Sequence, residues 1–429
     1  MQTEPTVIIG AGPAGCSAAI TLARSGARVA LVDKATFPRD KICGDGLTTS
    51  ALRELEALGF RPDGVPSWTP VDDVVVRSPS GNSVRFPLPR DRSLHAVVAR
   101  REQLDAALLD HARTFDIEVI EGEGIAELER TSHGVAVTTS TGRRIDAGYV
   151  VAADGMWSPT RKLAGDVLPK YRGDWHAFRQ YFTGVTGPAA TELWVSFEAD
   201  ILPGYFWSFP LGDGRANVGF GIMRHDGVAP GNKLSRVPDM ARTWPALLER
   251  PHIRELLGPD ATPESPHRAW PIPARIGGPA LTGDRVLYVG DAAAVGDPLT
   301  GEGIGQALIT GRLAAESILG TAHHPAGRGA EAAYEAAARA SLVADHRMSV
   351  TLSRALTHRK GARAAIALAG LSGWTRRNFA RWLFEDHPVR CWPPPAAGDG
   401  ACSPPTGPTT VIRKQTRRNR RASAANFRR

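Results

Sequence analysis

The sequence is poor in cysteine and has no long uninterrupted apolar run. Its four cysteines, at positions 16, 43, 391 and 402, form no Cys-x-x-Cys pair and show no cysteine–histidine spacing that fits zinc. We therefore expect no metal site and no structural disulfide. Apolar runs fall short of the roughly 18 residues that a membrane-spanning helix needs. A strand-like segment follows soon after Met1, so we expect neither a membrane span nor a signal peptide.

Acidic residues are absent from the last part of the chain. Residues 401–429 contain eight Lys or Arg and no Asp or Glu, whereas residues 1–400 contain 44 basic and 44 acidic residues. The net charge of +8 therefore belongs to the tail, and the neutral body argues against a nucleic-acid partner. We predict that 391–429 is a disordered, dispensable basic tail; the alternative is an arm that contacts a membrane surface or RNA.

Glycines are abundant, and the first informative group lies near the N-terminus. An apolar strand from Thr6 to Ile9 runs into Gly10, Gly12 and Gly15 in a Gly-x-Gly-x-x-Gly pattern, with Pro13 and Ala14 between them. The three glycines permit a tight turn, close approach of a pyrophosphate, and helix–strand packing. Asp33 ends a second strand 23 residues after Gly10, where a carboxylate meets a ribose 2′-hydroxyl. The pattern predicts a dinucleotide site that is not built for NADP.

A second informative segment lies far along the chain. The residues from Tyr288 to Ile304 read as a strand that ends in Gly290 and Asp291, a loop containing Gly301, and a helix that starts near Gly303 and Ile304. A carboxylate at a strand end suits a chain of hydroxyl groups, and helix N-terminal N–H groups suit a flavin carbonyl. Together with the N-terminal fingerprint, this segment predicts FAD as the cofactor.

The order of these patterns predicts an α/β protein with a Rossmann-like FAD-binding domain. We assign to this domain the discontinuous ranges 1–70, 94–165 and 280–320. Alternating strand-like inserts at 71–93 and 166–279 predict an antiparallel sheet that forms the substrate-binding domain, with a turn at 79–82. The second insert also contains a helix-like stretch over 238–257. Residues 325–390 predict a C-terminal helical region.

Two further motifs are more specific. Pro38, Lys41, Cys43, Gly44 and Gly46 form the pattern Pro-x-x-Lys-x-Cys-Gly-x-Gly, and a later stretch reads Tyr-x-Trp-x-Phe-Pro, with Tyr205, Trp207, Phe209 and Pro210. On these motifs the chain resembles the geranylgeranyl reductase family of flavoproteins from about Thr6 to Glu385. An Asp-Gly motif at Asp154 is shared with the wider aromatic-hydroxylase superfamily and does not distinguish the two.

The resemblance implies further FAD contacts. Arg101 would lie beside the FAD and Ile125 would present its backbone to the adenine; Lys34, Lys41, Cys43, Gly44 and Asp154 are expected to complete the cofactor site. For Arg101 the alternative is an ion pair with a nearby acid such as Asp105. Cys43 is either a small buried apolar residue or a catalytic thiol near the flavin ring. Asp45 could be the acid instead of Cys43, or cap a turn.

Tyr205, Trp207 and Phe209 alternate along one strand, so their side chains share one face. One possibility is an aromatic stripe in the protein core. The other is an apolar wall, formed together with Pro210, for an isoprenoid chain; Phe182, Trp194 and Phe197 would extend this wall.

The resemblance implies a flavin-dependent reductase of isolated isoprenoid double bonds. The substrate would be a geranylgeranyl lipid, a polyprenyl diphosphate or the menaquinone side chain, and the electrons would come from NAD(P)H or a redox protein. We expect a cytoplasmic protein because we expect no signal peptide, and a lipid substrate implies access from the membrane surface, with peripheral contact at the inner face of the membrane. The alternative is an NAD(P)H-dependent flavin monooxygenase of an aromatic or polyketide substrate, because fold alone does not separate the two functions.

Overall fold

The computed structural model describes residues 4–88, 95–132, 134–168, 170–224, 239–321 and 329–384. The predicted basic tail, with Cys391 and Cys402, lies outside the described residues. Ten α-helices occur in the described ranges: α1 Pro13–Arg24, α2 Thr49–Ala57, α3 Arg101–Ala112, α4 Pro159–Leu163, α5 Met240–Leu248, α6 Pro251–Leu257, α7 Ile304–Thr321, α8 Gly329–Leu356, α9 Arg359–Gly370 and α10 Gly373–Phe384.

Twenty strands lie in the same ranges. They are β1 Thr6–Ile9, β2 Val29–Asp33, β3 Gly46–Thr48, β4 Thr69–Pro70, β5 Asp73–Arg77, β6 Ser83–Pro87, β7 Ala96–Val98, β8 Ile117–Glu121, β9 Ile125–Arg130, β10 Val135–Thr139, β11 Arg144–Ala147, β12 Tyr149–Ala152, β13 Trp175–Thr183, β14 Leu193–Ser196, β15 Tyr205–Gly212, β16 Arg215–Met223, β17 Thr262–Pro263, β18 Arg268–Ile272, β19 Thr282–Gly283 and β20 Val286–Tyr288.

A six-stranded sheet forms the first layer, in the order β19-β20-β12-β1-β2-β8. Its strands are parallel apart from β19, which pairs antiparallel with β20. The sequences of β1 and β2 are almost wholly apolar because both strands are buried. Helices α1 and α7 pack closely against each other, since a Cβ at Gly311 would overlap the Ala14 carbonyl oxygen. The predicted α/β class is confirmed.

The second layer is an eight-stranded sheet with the path β17-β13-β16-β15-β14-β5-β6, in which β18 also pairs with β13. It is antiparallel as predicted, except that β14 and β5 run parallel. The two strands come from separate inserts, so no hairpin sets their relative direction. The hairpin of β5 and β6 turns at the predicted position, pairing Arg77 with Ser83.

The helical segments follow the sequence pattern with one difference. The predicted helix over 238–257 is two helices, α5 and α6, because Pro251 starts a new helix where its missing N–H is tolerated. The predicted C-terminal helical region consists of α8, α9 and α10. Among the described residues, no helix is both long and apolar enough to cross a bilayer. The domain boundaries given above stay predictions.

Candidate functional site

An apolar cavity of about 280 Å³ collects residues from several distant parts of the chain. One wall is the segment around Cys43 and Gly44, and another is the loop from Leu299 to Ile304. Strands of the eight-stranded sheet form a third wall, and helices α8, α9 and α10 contribute Leu352, Ile366 and Phe379.

The glycine loop after β1 has one open position. A Cβ at Gly10 would overlap the Ala153 carbonyl oxygen, and a Cβ at Gly15 would overlap the Gly10 carbonyl oxygen. At Gly12, in contrast, the nearest atom to a Cβ would be Arg39 Nη2 at 3.5 Å. Gly12 precedes the first turn of α1, which starts with Pro13 and Ala14 and has no side-chain cap. The open glycine and the uncapped helix N-terminus suit an anionic phosphate group.

Asp33 ends β2 and Lys34 follows it, and Ile125 begins β9 of a neighbouring three-stranded sheet. The Asp33 carboxylate accepts hydrogen bonds from the N–H groups of Ala11 at 2.7 Å and Ala35 at 2.8 Å. Each carboxylate oxygen keeps a second lone pair, so the side chain can still accept a hydroxyl group. A Cβ at Gly124 would lie 3.4 Å from Lys34 Cβ, which places the start of β9 at Ile125 close to Lys34.

Arg101 forms the ion pair that was the alternative to a cofactor contact. Its Nε and Nη2 atoms each donate to Asp105 at 2.7 Å, and Arg39 donates to the same carboxylate at 2.9 Å. Burial alone would raise the pKa of Asp105, but the two guanidinium groups hold that pKa below its ordinary value. The pair fixes the Arg101 side chain in place beside the Cys43 segment.

Cys43 lines the cavity, and its Sγ accepts a hydrogen bond from the Asp45 N–H at 3.3 Å. Burial raises the pKa of the thiol, while the Arg101 guanidinium acts in the opposite direction. The net direction is upward, so Cys43 keeps its proton at neutral pH.

Asp45 is fully buried, in a left-handed conformation with φ at 67°. Its carboxylate accepts hydrogen bonds from Tyr181 Oη at 2.7 Å and Asn217 Nδ2 at 2.8 Å. Asn217 also donates to the Cys43 carbonyl at 2.9 Å and accepts from Trp207 Nε1 at 3.0 Å. Burial raises the pKa of Asp45 to about 6, and the two side-chain donors oppose this shift. The network joins the Cys43 segment to β15.

Lys41 and Asp291 meet across the site although they are 250 residues apart. Lys41 Nζ lies 3.4 Å from Asp291 Oδ2 and 4.3 Å from the centroid of the Trp270 ring. Burial lowers the pKa of Lys41, and the Asp291 carboxylate opposes this effect.

The loop before α7 contains glycines in backbone conformations that favour glycine. Gly290 and Gly301 have positive φ values of 58° and 70°, a backbone conformation that residues with a side chain rarely adopt. A Cβ at Gly303 would approach Asp291 Oδ1 at 3.9 Å, and Ile304 begins α7. Gly301, Gly303 and Ile304 all line the cavity, so the start of α7 faces it.

Asp154 lies beside the first glycine loop. Its Oδ2 accepts a hydrogen bond from the Thr160 N–H at 2.9 Å. Its Oδ1 is buried and receives no hydrogen bond from the described residues. Burial raises the pKa of this carboxyl group.

The aromatic strand places three of its four predicted substrate residues at the cavity. Tyr205, Trp207 and Phe209 line the cavity, as does Phe197, and the Tyr205 hydroxyl donates to the Thr300 carbonyl. Pro210 is one position out of phase and is not a lining residue. Phe182 and Trp194 pack instead in or against a second apolar core with Val218 and Phe220.

The sequence and fold can be compared with known proteins. An FAD binding domain model matches residues 3–202. Menaquinone reductase of Mycolicibacterium smegmatis is 34% identical over 337 residues, which cover 72% of this chain and 75% of that protein. Digeranylgeranylglycerophospholipid reductase 1 of Methanopyrus kandleri is 31% identical over 336 residues, which cover 72% of this chain and 79% of that protein. The chain belongs to the geranylgeranyl reductase family.

The fold agrees with this assignment. The crystal structure of a geranylgeranyl bacteriochlorophyll reductase-like protein from Thermoplasma acidophilum superposes with a TM-score of 0.73 at 20% identity. The match covers 90% of this chain and 97% of that one. As a member of the geranylgeranyl reductase family, the protein is an FAD-dependent oxidoreductase. The open position at Gly12 and the uncapped start of α1 fit the diphosphate of FAD.

Several residues of this reductase site were missed in the sequence. Tyr181 and Asn217 hold Asp45, Arg39 lies beside Gly12, and Arg179 lines the cavity while donating to Asp40 at 2.6 Å. Asn217 faces Phe209 across the β15–β16 pair, and Arg179 and Tyr181 share one face of β13. Their positions depend on strand register, for which the sequence carries no local signal. Arg39 lies at a variable position of the Pro-x-x-Lys-x-Cys-Gly-x-Gly motif.

Proposed function

We propose that this protein reduces isolated double bonds of an isoprenoid chain. The observation that carries the proposal is the apolar cavity in which Cys43, Tyr205 and Trp207 meet the start of α7. An isoprenoid chain has no polar group to bind except at its head, so it requires a long apolar enclosure. The names of the relatives, menaquinone reductase and digeranylgeranylglycerophospholipid reductase, support the same substrate class.

We propose the following cofactor contacts. The first glycine loop and Arg101 would hold the diphosphate side of FAD, Asp33 the ribose, and Lys34 and Ile125 the adenine. Asp291 would accept the ribityl hydroxyls, with Lys41 fixing its carboxylate. The remaining contacts would come from the backbone or short side chains of Gly10, Gly12, Pro13, Ala14, Gly15, Gly44, Asp154, Gly290, Gly301, Gly303 and Ile304.

The reaction needs a hydride on one alkene carbon and a proton on the other. Reduced FAD supplies the hydride when it is bound. Cys43 supplies the proton from its neutral thiol, and the Arg101 guanidinium would stabilise the thiolate that is left until it regains a proton from solvent. The cavity walls exclude water and hold the alkene in one orientation, which an unactivated double bond requires. An external donor, NAD(P)H or a redox protein, provides the two electrons.

The number and position of the bonds reduced depend on how far the chain enters the cavity. A geranylgeranyl lipid, a polyprenyl diphosphate and the menaquinone side chain all share the isoprenoid unit. We also propose peripheral contact of the protein with the cytoplasmic face of a membrane, because such substrates reside there.

The deciding experiment starts with anaerobic photoreduction of the purified flavoprotein. The reduced protein is then mixed separately with a geranylgeranyl lipid and with menaquinone. Reoxidation of the flavin, together with a gain of two hydrogen atoms for each bond reduced, supports the reductase. Absence of reoxidation by both compounds, combined with NADPH oxidation and oxygen insertion into an aromatic substrate in air, would replace it with the monooxygenase.

A further inference from the structure

Large apolar side chains are concentrated at the turn between α9 and α10. Leu368, Leu371 and Trp374 are 61%, 71% and 47% exposed, and they lie within seven consecutive residues. In the described part of the chain, the other large apolar side chains with comparable exposure are Trp157, Leu163 and Val167. Half of the exposed large apolar residues in the described ranges therefore lie in or beside this turn.

The same two helices carry positive charge and no negative charge. From Arg359 to Phe384 the sequence contains six Arg or Lys and no Asp or Glu. Lys360, Arg363 and Arg377 are exposed. We call these three basic residues, together with Leu368, Leu371 and Trp374, the docking patch. Cations beside exposed leucine and tryptophan side chains are typical of a surface that lies on an anionic bilayer.

The opposite side of the helices faces the cavity. Ala365, Ile366 and Phe379 line it, and the Phe379 ring packs on Phe86 of β6 with centroids 4.9 Å apart. Gly370 allows the turn to approach β6 closely, because a Cβ there would lie 2.9 Å from Val84 Cγ2. The α9–α10 pair therefore separates the cavity from the docking patch by the thickness of a single helix.

We propose that the docking patch seats the protein on an anionic lipid bilayer, so that a membrane-resident chain passes beside α9 and α10 into the cavity. This inference rests on the proposed function for the identity of the passing chain. Seating on the bilayer itself does not depend on it. The leucines and the tryptophan would enter the interfacial region, and the arginines and lysine would contact lipid phosphates.

The test is cosedimentation with phosphatidylcholine vesicles, with and without phosphatidylglycerol. The FAD-loaded protein is expected to bind the anionic vesicles more tightly, with binding weakened by salt. The variant Leu368→Ser/Leu371→Ser/Trp374→Ser should lose about tenfold in affinity. The variant Arg363→Glu/Arg377→Glu tests the charge separately and should lose the preference for anionic vesicles. Trp157→Ser and Leu163→Ser, exposed apolar positions elsewhere, should bind like the unchanged protein.

Three results would overturn the proposal. The first is unchanged vesicle binding by both patch variants while each remains folded and yellow. The second is a dimer of the unchanged protein in sedimentation velocity that the triple variant dissociates, since a second copy would then cover the patch. The third is loss of vesicle binding on truncation after Pro395 with the patch intact, which would assign the contact to the tail.

Activity assays separate this proposal from the proposed function. The triple variant should reduce a detergent-dispersed isoprenoid at the normal rate and a vesicle-embedded one more slowly. Equal rates of the variant and the unchanged protein on vesicle-embedded substrate would refute the access route. If the unchanged protein reduces no isoprenoid in either form, the proposed function fails, whereas the vesicle-binding result still decides the docking patch.

Discussion

At the scale of single residues, the Cys43 segment combines a protonated thiol with a buried carboxyl group two positions later. Donors from β13 and β16 hold the Asp45 carboxyl group, and the Cys43 thiol accepts a hydrogen bond from the Asp45 N–H, yet only Cys43 lines the cavity. This difference assigns them different roles. Cys43 can deliver a proton to a substrate, whereas Asp45 acts through the network that positions Cys43 and Trp207.

Replacement of Cys43 by alanine should slow the chemical step and leave FAD binding intact. Loss of a general acid typically lowers a rate by about 10²–10⁴-fold. The measurement is the rate at which an isoprenoid substrate reoxidises the photoreduced flavin. Cys16→Ala is the control, because Cys16 is buried in α1 and its thiol donates to the Ala11 carbonyl at 3.3 Å. Equal reoxidation rates in Cys43→Ala and the unchanged protein would remove the catalytic role.

Asp45 should make stability depend on pH in a defined direction. Its pKa is raised to about 6 in the folded protein, so the folded state holds the proton more tightly than the unfolded state. The protonated Asp45 carboxyl group therefore adds roughly 3 kcal/mol to the free energy of unfolding below about pH 4. This contribution is lost as the pH rises through about 6. Relative to the unchanged protein, Asp45→Asn should therefore gain about that much unfolding free energy between pH 4 and pH 7.

Urea unfolding at several pH values measures this difference. Asp63→Asn is the matched control, since the Asp63 side chain is exposed on a short turn. A stability difference between Asp45→Asn and the unchanged protein that is the same at every pH would contradict a raised pKa of Asp45 in the folded state.

At the scale of elements, the glycines of the β1–α1 loop differ in their roles: two are needed for packing and one for contact with the ligand. Gly10 and Gly15 lack room for any side chain, whereas Gly12 has room and faces the uncapped start of α1. Gly12→Ala should therefore fold but bind FAD at least about tenfold more weakly, because the methyl group occupies the approach of the diphosphate. Flavin titration of the apoprotein measures this. Gly277→Ala, where a Cβ meets no atom within 4 Å, should bind FAD normally.

Strand β15 also carries residues with two different roles, because some of its side chains line the cavity and others pack in an apolar core. Phe209 lines the cavity, while Phe206 is fully buried in the second apolar core. Phe206→Ala should destabilise the fold by about 3–5 kcal/mol. Phe209→Ala should have a smaller effect on stability and should raise KM for long isoprenoid chains. Thermal unfolding and steady-state kinetics distinguish the two, and a loss of stability of the same size in both variants would contradict a cavity role for Phe209.

The sequence predicted those parts of the site that local spacing determines. The glycine fingerprint follows β1, the Gly290–Asp291 pair follows β20, and Tyr205, Trp207 and Phe209 alternate on β15, so each short-range pattern lies on or beside a strand as predicted. The roles of these residues stay predictions. Tyr181 and Asn217 were invisible because they reach Asp45 only through the pairing of β13, β15 and β16. The parallel pairing of β5 with β14 was missed for the same reason, since strand direction between separate inserts has no local signal.

At the scale of the whole molecule, the site depends on contacts between segments that are far apart in sequence. Lys41 donates to Asp291, Thr48 donates to Glu302 at 2.5 Å, and the Asn217 amide donates to the Cys43 backbone carbonyl. The cavity therefore exists only when both sheets and the C-terminal helices are assembled. FAD that binds the folded protein and not the unfolded chain should raise the stability of this whole assembly by mass action.

The sequence predicts that the basic tail is dispensable. Its composition after Pro395 is rich in proline, glycine, alanine and arginine and cannot bury a core. Truncation after Pro395 should therefore leave FAD stoichiometry and isoprenoid turnover unchanged, as measured by the flavin absorbance ratio and product mass. A truncation of the same chain before Arg359 provides the contrast, because it removes Ile366 and Phe379 from the cavity wall. A fall in turnover of detergent-dispersed substrate on truncation after Pro395 would show that the tail acts on the site itself.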